Sequence, residues 1–116
     1  MDNDTAPQEQ ATGGTGRRLT SRQVRFLRAR GHHLTPAVMV GREGVTPAVL
    51  AALNASLAAH ELVKVKVQQN CPLDRRQAAA LLAKRAPASL VQVLGRTLLL
   101  YRANPDLPAD RRIVLP

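Results

Sequence analysis

The sequence predicts an α/β fold: a mixed β-sheet of about four strands packed with three helices, in the order α-β-α-β-α-β-β. Helical apolar stripes alternate with short β-branched runs from Leu19 to Leu94, and strands separated by helices need crossovers, which makes their pairing parallel. The pattern closes on two apolar runs around Gly95-Arg96, a two-residue turn with glycine first, as an antiparallel type II′ hairpin wants. With 45% hydrophobic residues among 116, the chain can build one core, and two domains would not fit.

Residues 1–16 stand apart from this pattern. They contain no aliphatic side chain larger than that of Met1, turn glycine-rich toward their end, and carry Asp2, Asp4 and Glu9 without a base. They read as a disordered acidic tail ahead of a domain spanning 17–116.

The first helix opens at Leu19-Thr20-Ser21-Arg22-Gln23-Val24, where Thr20 and Gln23 form a capping box and Leu19 can staple onto Val24. It runs to about Arg30 and is expected to stop at Gly31 in a left-handed conformation. Val24 and Leu27 share one side; Arg22, Arg25 and Arg28 step around the other, which is also what an ordinary solvated face looks like. Ala37-Val38-Met39-Val40 suits a strand buried on both faces. A second helix starts at Thr46-Pro47, with threonine as the cap and proline at the first helical position, and Val49, Leu50, Leu53 and Leu57 form its stripe. Leu62-Val63-Lys64-Val65-Lys66-Val67 alternates strictly, so the valines face the core while Lys64 and Lys66 stand together on a wet face. Asp74 and Gln77 cap a third helix over Arg75–Arg85, which Pro87 closes. Leu90 to Leu94 and Thr97 to Arg102 are the hairpin strands, and Arg111 to Leu115 is expected to add a short edge strand.

Charge narrows the function. Residues 17–116 hold all 17 lysines and arginines against five acids, a net +12 that favours a polyanionic partner, nucleic acid or an anionic membrane. No stretch of about 18 apolar residues exists to cross a membrane, and the N-terminus is acidic where a targeting peptide would be basic, so the expectation is a cytoplasmic protein with no membrane partner. Cys71 has no internal disulfide partner, no Cys or His has a neighbour at zinc spacing, and neither a metal nor a cofactor is expected.

The most informative local feature is Gly41-Arg42-Glu43-Gly44, between a strand and a helix N-terminus. Two glycines let the backbone approach a ligand, the helix end favours an anion, and Arg42 adds a fixed charge. Such a loop can clamp a nucleic-acid backbone as the G-x-x-G loop of KH modules does, although a tight turn before a helix produces the same pattern. It lacks the lysine and spacing of a Walker loop. Enzymatic readings fare worse, because Glu43, Glu61, Asp74, Asp106 and Asp110 are not paired on any one element, and His32, His33 and His60 fall in loops or at a helix end. No catalytic residue is expected. With Phe26 and Tyr101 the only aromatics, base stacking is not the main mode of binding, and backbone recognition by Arg22, Arg25, Arg42, Lys64, Lys66 and Arg96 remains.

Three blocks in register carry a family resemblance: Leu34-Thr35-Pro36-Ala37-Val38-Met39-Val40-Gly41-Arg42-Glu43-Gly44-Val45-Thr46, His60-Glu61-Leu62-Val63-Lys64-Val65-Lys66-Val67, and Val91-Gln92-Val93-Leu94-Gly95-Arg96-Thr97-Leu98-Leu99-Leu100-Tyr101-Arg102. They closely resemble the CRM domain, the chloroplast RNA splicing and ribosome maturation module, and a copy of this size is similar to the stand-alone bacterial YhbY-type members. The resemblance covers about Leu19 to Pro116. It implies a fold similar to the C-terminal domain of bacterial translation initiation factor three, RNA binding through the loop Gly41, Arg42, Glu43 and Gly44 with the basic strand face Lys64 and Lys66, and association with ribosomal RNA in precursors of the large ribosomal subunit. The expectation is thus a monomeric ribosome assembly factor. A protein-interaction adapter with a basic surface and a DNA-binding regulator are the alternatives, the latter needing the first helix as its recognition helix. Glu43 departs from a purely cationic loop, and His33 stands where a proline is expected.

Overall fold

Each helix begins where side chains satisfy the amides its first turn leaves free. The computed structural model describes residues 18–116, so the tail expected over 1–16 lies outside the described residues. In α1 (Ser21–Gly31) the Gln23 amide donates to the Thr20 hydroxyl at 3.1 Å, and the Thr20 amide donates to the Gln23 side chain at 3.0 Å. Leu19, just outside this cap, is buried in one cluster with Val24. Helix α2 (Pro47–His60) is capped by Thr46, which accepts from the Val49 amide at 3.1 Å. Helix α3 (Arg75–Arg85) has the reciprocal Asp74 and Gln77 box at 2.8 and 3.1 Å.

The strands are β1 (Val38–Val40), β2 (Leu62–Val67), β3 (Ser89–Leu94) and β4 (Thr97–Tyr101), in the sheet order β1-β2-β4-β3. Strand β1 runs parallel to β2, and β4 runs antiparallel to both its neighbours. Three helices and a four-stranded mixed sheet in the order α-β-α-β-α-β-β are what the alternation predicts. Gly95 supplies the positive φ, 59°, that the first position of a type II′ turn requires.

One sheet face, built from Val38, Val40, Val63, Val65, Val67, Leu98 and Leu100, packs against Leu53 and Leu57 of α2 and the small stripe Ala78, Ala79, Leu82 and Ala83 of α3. The other face carries Leu62, Leu99, Tyr101 and Val91 under Leu19, Val24 and Leu27 of α1. The β3–β4 pairing steps from Leu90 opposite Leu100 to Gln92 opposite Leu99. This bulge leaves Val91 as an extra residue, fully buried in the α1 cluster.

Three expectations need correction. Gly31 does not take a left-handed conformation, since the positive-φ glycines described are Gly44 and Gly95. It closes α1 against the sheet instead: a Cβ there would sit 2.6 Å from Leu99 Cδ2, so glycine permits the close approach. Strand β1 is buried on one face only, because it lies at the sheet edge where α1 does not cover it, and Met39 is 53% exposed. The segment after Asp110 adds no strand: Ala109–Arg111 form a 3₁₀ turn, and the Ile113 amide donates to the Glu61 carboxylate at 2.6 Å instead of to a strand edge.

Candidate nucleic-acid interface

Strands β1 and β2 are parallel and end side by side, Val40 opposite Val67, and the antiparallel β4 brings its turn back to the same end, with Thr97 opposite Lys66. Three turns therefore meet on one rim of the sheet: 41–44, 68–71 and 95–96. Two backbone bonds close turns on themselves and two tie neighbouring segments together. The Gly44 amide donates to Gly41 O at 2.9 Å, Gln68 to Val40 O at 2.8 Å, Cys71 to Gln68 O at 3.0 Å, and Val67 to Arg96 O at 2.7 Å.

The two glycines of the first turn serve different ends. Gly44 is buried with φ 73°, a conformation that costs any L side chain about 1–2 kcal/mol. Gly41 has an ordinary φ, but a Cβ on it would approach Gln68 Oε1 to 2.7 Å, so it lets the neighbouring turn lie close. Between them Arg42 and Glu43 point into solvent with side chains 82% and 80% exposed and Nε to Oε2 at 4.0 Å. An exposed pair at that distance is weak, and Arg42 remains available to a stronger anion.

Met39, Lys66, Thr97 and Leu94 form one row across all four strands on the face away from α2 and α3. Lys66 is exposed in that row. Lys64 lies one row farther from the rim, opposite Leu99, half-buried in a groove it shares with Gly31 and His32 at the end of α1. Arg22 and Arg25 are exposed, but on the first half of α1, where Gln23 Nε2 donates to Pro116 O at 3.3 Å. Arg22 is nine residues from Gly31, about 13 Å along the helix axis. The fold thus gathers Gly41, Arg42, Glu43, Gly44, Lys66 and Arg96 on the rim, sets Lys64 just behind, and leaves Arg22 and Arg25 back along α1.

Reasoning from sequence missed three features. Arg75 and Arg76 open α3 and share with Arg96 a cleft of about 640 Å³ between that helix and the β3–β4 turn. Their one local signal was position: two bases directly after the Asp74 cap, where acids are preferred. Glu61 ends α2 at φ 67° with 1% exposure, its carboxylate accepting from the Asn104 and Ile113 amides at 2.6 Å each. Arg102 is half-buried, its Nη1 donating to Asn54 Oδ1 and Ala86 O at 2.8 Å, and burial lowers its pKa from the ordinary arginine value. It is a framework residue joining α2, α3 and β4.

Neither aromatic ring is fully exposed. Tyr101 is 2% exposed, and Phe26 is half-buried with the Arg30 guanidinium 5.9 Å from its ring centre. Among the described residues there is no group of three His, Cys, Asp or Glu that could hold a metal ion, and no helix long and apolar enough to cross a membrane.

Comparison with known proteins fits this geometry to a family. The model of the CRS1 / YhbY (CRM) domain matches residues 19–102. The chain belongs to the CRM domain family. "Probable RNA-binding protein YqeI" of Bacillus subtilis is 41% identical over 98 residues, 84% of this chain and 99% of that one. An "RNA-binding protein" of Haemophilus influenzae is 36% identical over 88 residues, 76% of this chain and 89% of its relative. The solution structure of SAV1595 from Staphylococcus aureus matches this CRM domain with a TM-score of 0.70 at 32% identity, covering 84% of this chain and 99% of that one. The rim turn 41–44, strand β2 and the β3–β4 hairpin all lie inside the matched CRM region.

Proposed function

We propose that this CRM domain binds RNA by its phosphate backbone, using the Gly41–Gly44 turn together with Arg42, Lys66 and Arg96, with Lys64 as a further contact behind the rim. One observation carries the reading: cations from three separate turns and strands converge on a single rim around a glycine-bracketed loop, in a domain whose charge is +12. The names of the relatives from Bacillus subtilis and Haemophilus influenzae support RNA as the ligand. The burial of Tyr101, with Phe26 half-buried beside Arg30, argues for backbone contacts over base stacking.

The domain acts over residues 17–116 as a monomeric, cytoplasmic, non-catalytic binder whose target is ribosomal RNA in a precursor of the large ribosomal subunit, a role supported by its resemblance to YhbY-type proteins. Arg22 and Arg25 add a peripheral contact when the RNA is long enough to reach α1.

Filter-binding titrations at several salt concentrations test the site. Replacing Arg42 and Lys66 together by glutamine is expected to weaken binding across unrelated RNA sequences alike and to lower the log–log salt slope by about 1.4–1.8, since each phosphate contact contributes about 0.7–0.9. An unchanged slope would remove the rim from the interface. Crosslinking followed by sequencing of the bound RNA tests the ribosomal target, and recovery of mainly non-ribosomal transcripts would count against it.

A further inference from the structure

We propose that the cleft between the β3–β4 turn and the first turn of α3 is a second phosphate-binding subsite on the same RNA, formed by Arg75, Arg76 and Arg96. It rests on the RNA-binding reading above and adds to it a path for the strand. The cleft measures about 640 Å³, within the range of sites that take a small ligand, and so has room for a phosphate with its ribose.

Three arginines from two elements line this one space, and all three are exposed. Like charges held together repel, and none of the three makes an ion pair with a described residue, where the pair found is Arg42 with Glu43. The single acid in the lining, Asp74, spends Oδ1 on the Gln77 amide at 2.8 Å as a helix cap. Arg75 and Arg76 also occupy the end of α3 where the helix dipole disfavours cations. A bound phosphate relieves both repulsions, and the planar guanidinium fork suits its oxygens.

The cleft and the Gly41–Gly44 turn are neighbours that share Pro72, which lines the cleft and lies 3.7 Å from where a Cβ on Gly44 would stand. The Gly41–Gly44 turn leaves β1 whereas Arg96 precedes β4, and with β2 between them these strand ends are two spacings apart, about 10 Å, which sets Arg42 and Arg96 at separate phosphates. Lys66 lies on the strand between. An RNA backbone laid along this rim meets Arg42 at one end and the three arginines at the other, with Lys66 beside Arg96 on the sheet face away from α3, so that contacts at the two ends neutralise different phosphates and add in the salt dependence.

The test is a salt series of filter-binding titrations with one hairpin RNA and the full chain. Arg75→Gln with Arg76→Gln is expected to lower the slope by about 1.4–1.8, and combining it with Arg42→Gln and Lys66→Gln is expected to lower it by about twice that. Lys84→Gln with Arg85→Gln, at the far end of α3, is the control and is expected to leave the slope unchanged. If the Arg75 and Arg76 double variant fails to fold, judged by circular dichroism, Arg76→Gln alone replaces it with an expected loss of about 0.7–0.9. Wild-type slope and affinity in the cleft variant, beside a loss in the Arg42 and Lys66 variant, overturns the subsite and leaves the RNA-binding reading intact. Equal losses in the cleft and control variants overturn it too, because the cleft would then be no different from any basic surface. Absence of salt-dependent RNA binding by the wild-type chain overturns both.

Discussion

Replacing Glu61 by alanine probes how one buried carboxylate fastens the C-terminal segment. Its two oxygens accept from the Asn104 and Ile113 amides at 2.6 Å, its carbonyl accepts from the Arg102 amide at 2.8 Å, and Asn104 Nδ2 reaches Ala58 O at 2.7 Å. Bonds to a charged group contribute about 1.5–3 kcal/mol each, which sets an upper limit near 6 kcal/mol for losing both. The freed segment can swing out and hydrate its amides, so the cost is bounded by its own docking through half-buried Leu107, Ile113 and Leu115. Taken together these limits give about 3 kcal/mol, a large part of the 5–15 kcal/mol typical of a domain. For a domain of this size that lowers Tm by roughly 12–24 °C. Glu61→Gly loses the same bonds but relieves the cost of φ 67°, and it is expected to be more stable than the alanine variant by about 1 kcal/mol. Thermal melts measure the first effect, and amide exchange at Asn104 and Ile113 localises it. An alanine variant that melts with the wild type and keeps both amides protected would refute the reasoning.

Gly44→Ala is expected to cost about 1–2 kcal/mol through its left-handed backbone, and Gly41→Ala less, because the obstructing Gln68 side chain is exposed and can move. Equal urea midpoints for the two variants would show that the second glycine is not held by its φ. Glu43→Gln removes the acid 4.0 Å from Arg42 and is expected to tighten RNA binding about two- to fivefold at low salt. The gain should fade as salt screens the pair; weaker binding would mean that Glu43 itself contacts the ligand.

Much of the fold was legible because its signals are local. Thr20 with Gln23, Thr46 with the Val49 amide beyond Pro47, and Asp74 with Gln77 are each bonded within four residues, so the helix starts follow from composition at those positions. The alternation of Val63, Val65 and Val67 with Lys64 and Lys66 assigned the valines to the core, but the lysine face is open only toward the rim, at Lys66, because α1 covers the rest and leaves Lys64 half-buried; the glycine at position 95 set the hairpin. The Gly41–Gly44 turn was legible for the same reason, as was the excess of positive charge around it.

What remained hidden depends on which distant segments meet. Local pattern says that a strand exists but not its neighbours, and only packing of the helices onto both sheet faces places β4 between β2 and β3. That order carries Arg96 to the rim beside Lys66 and opens the cleft shared with Arg75 and Arg76, which lie far from it in the chain. Gly31 reads as a helix stop until Leu99 is seen against it, and Glu61 reads as a surface acid until residues 104 and 113 fold back onto its oxygens. Sequence determines the elements and the sign of the surface because caps, periodicity and charge act over a few residues. Tertiary structure decides which charges share a cleft and which are buried, because that depends on contacts between residues far apart in the chain.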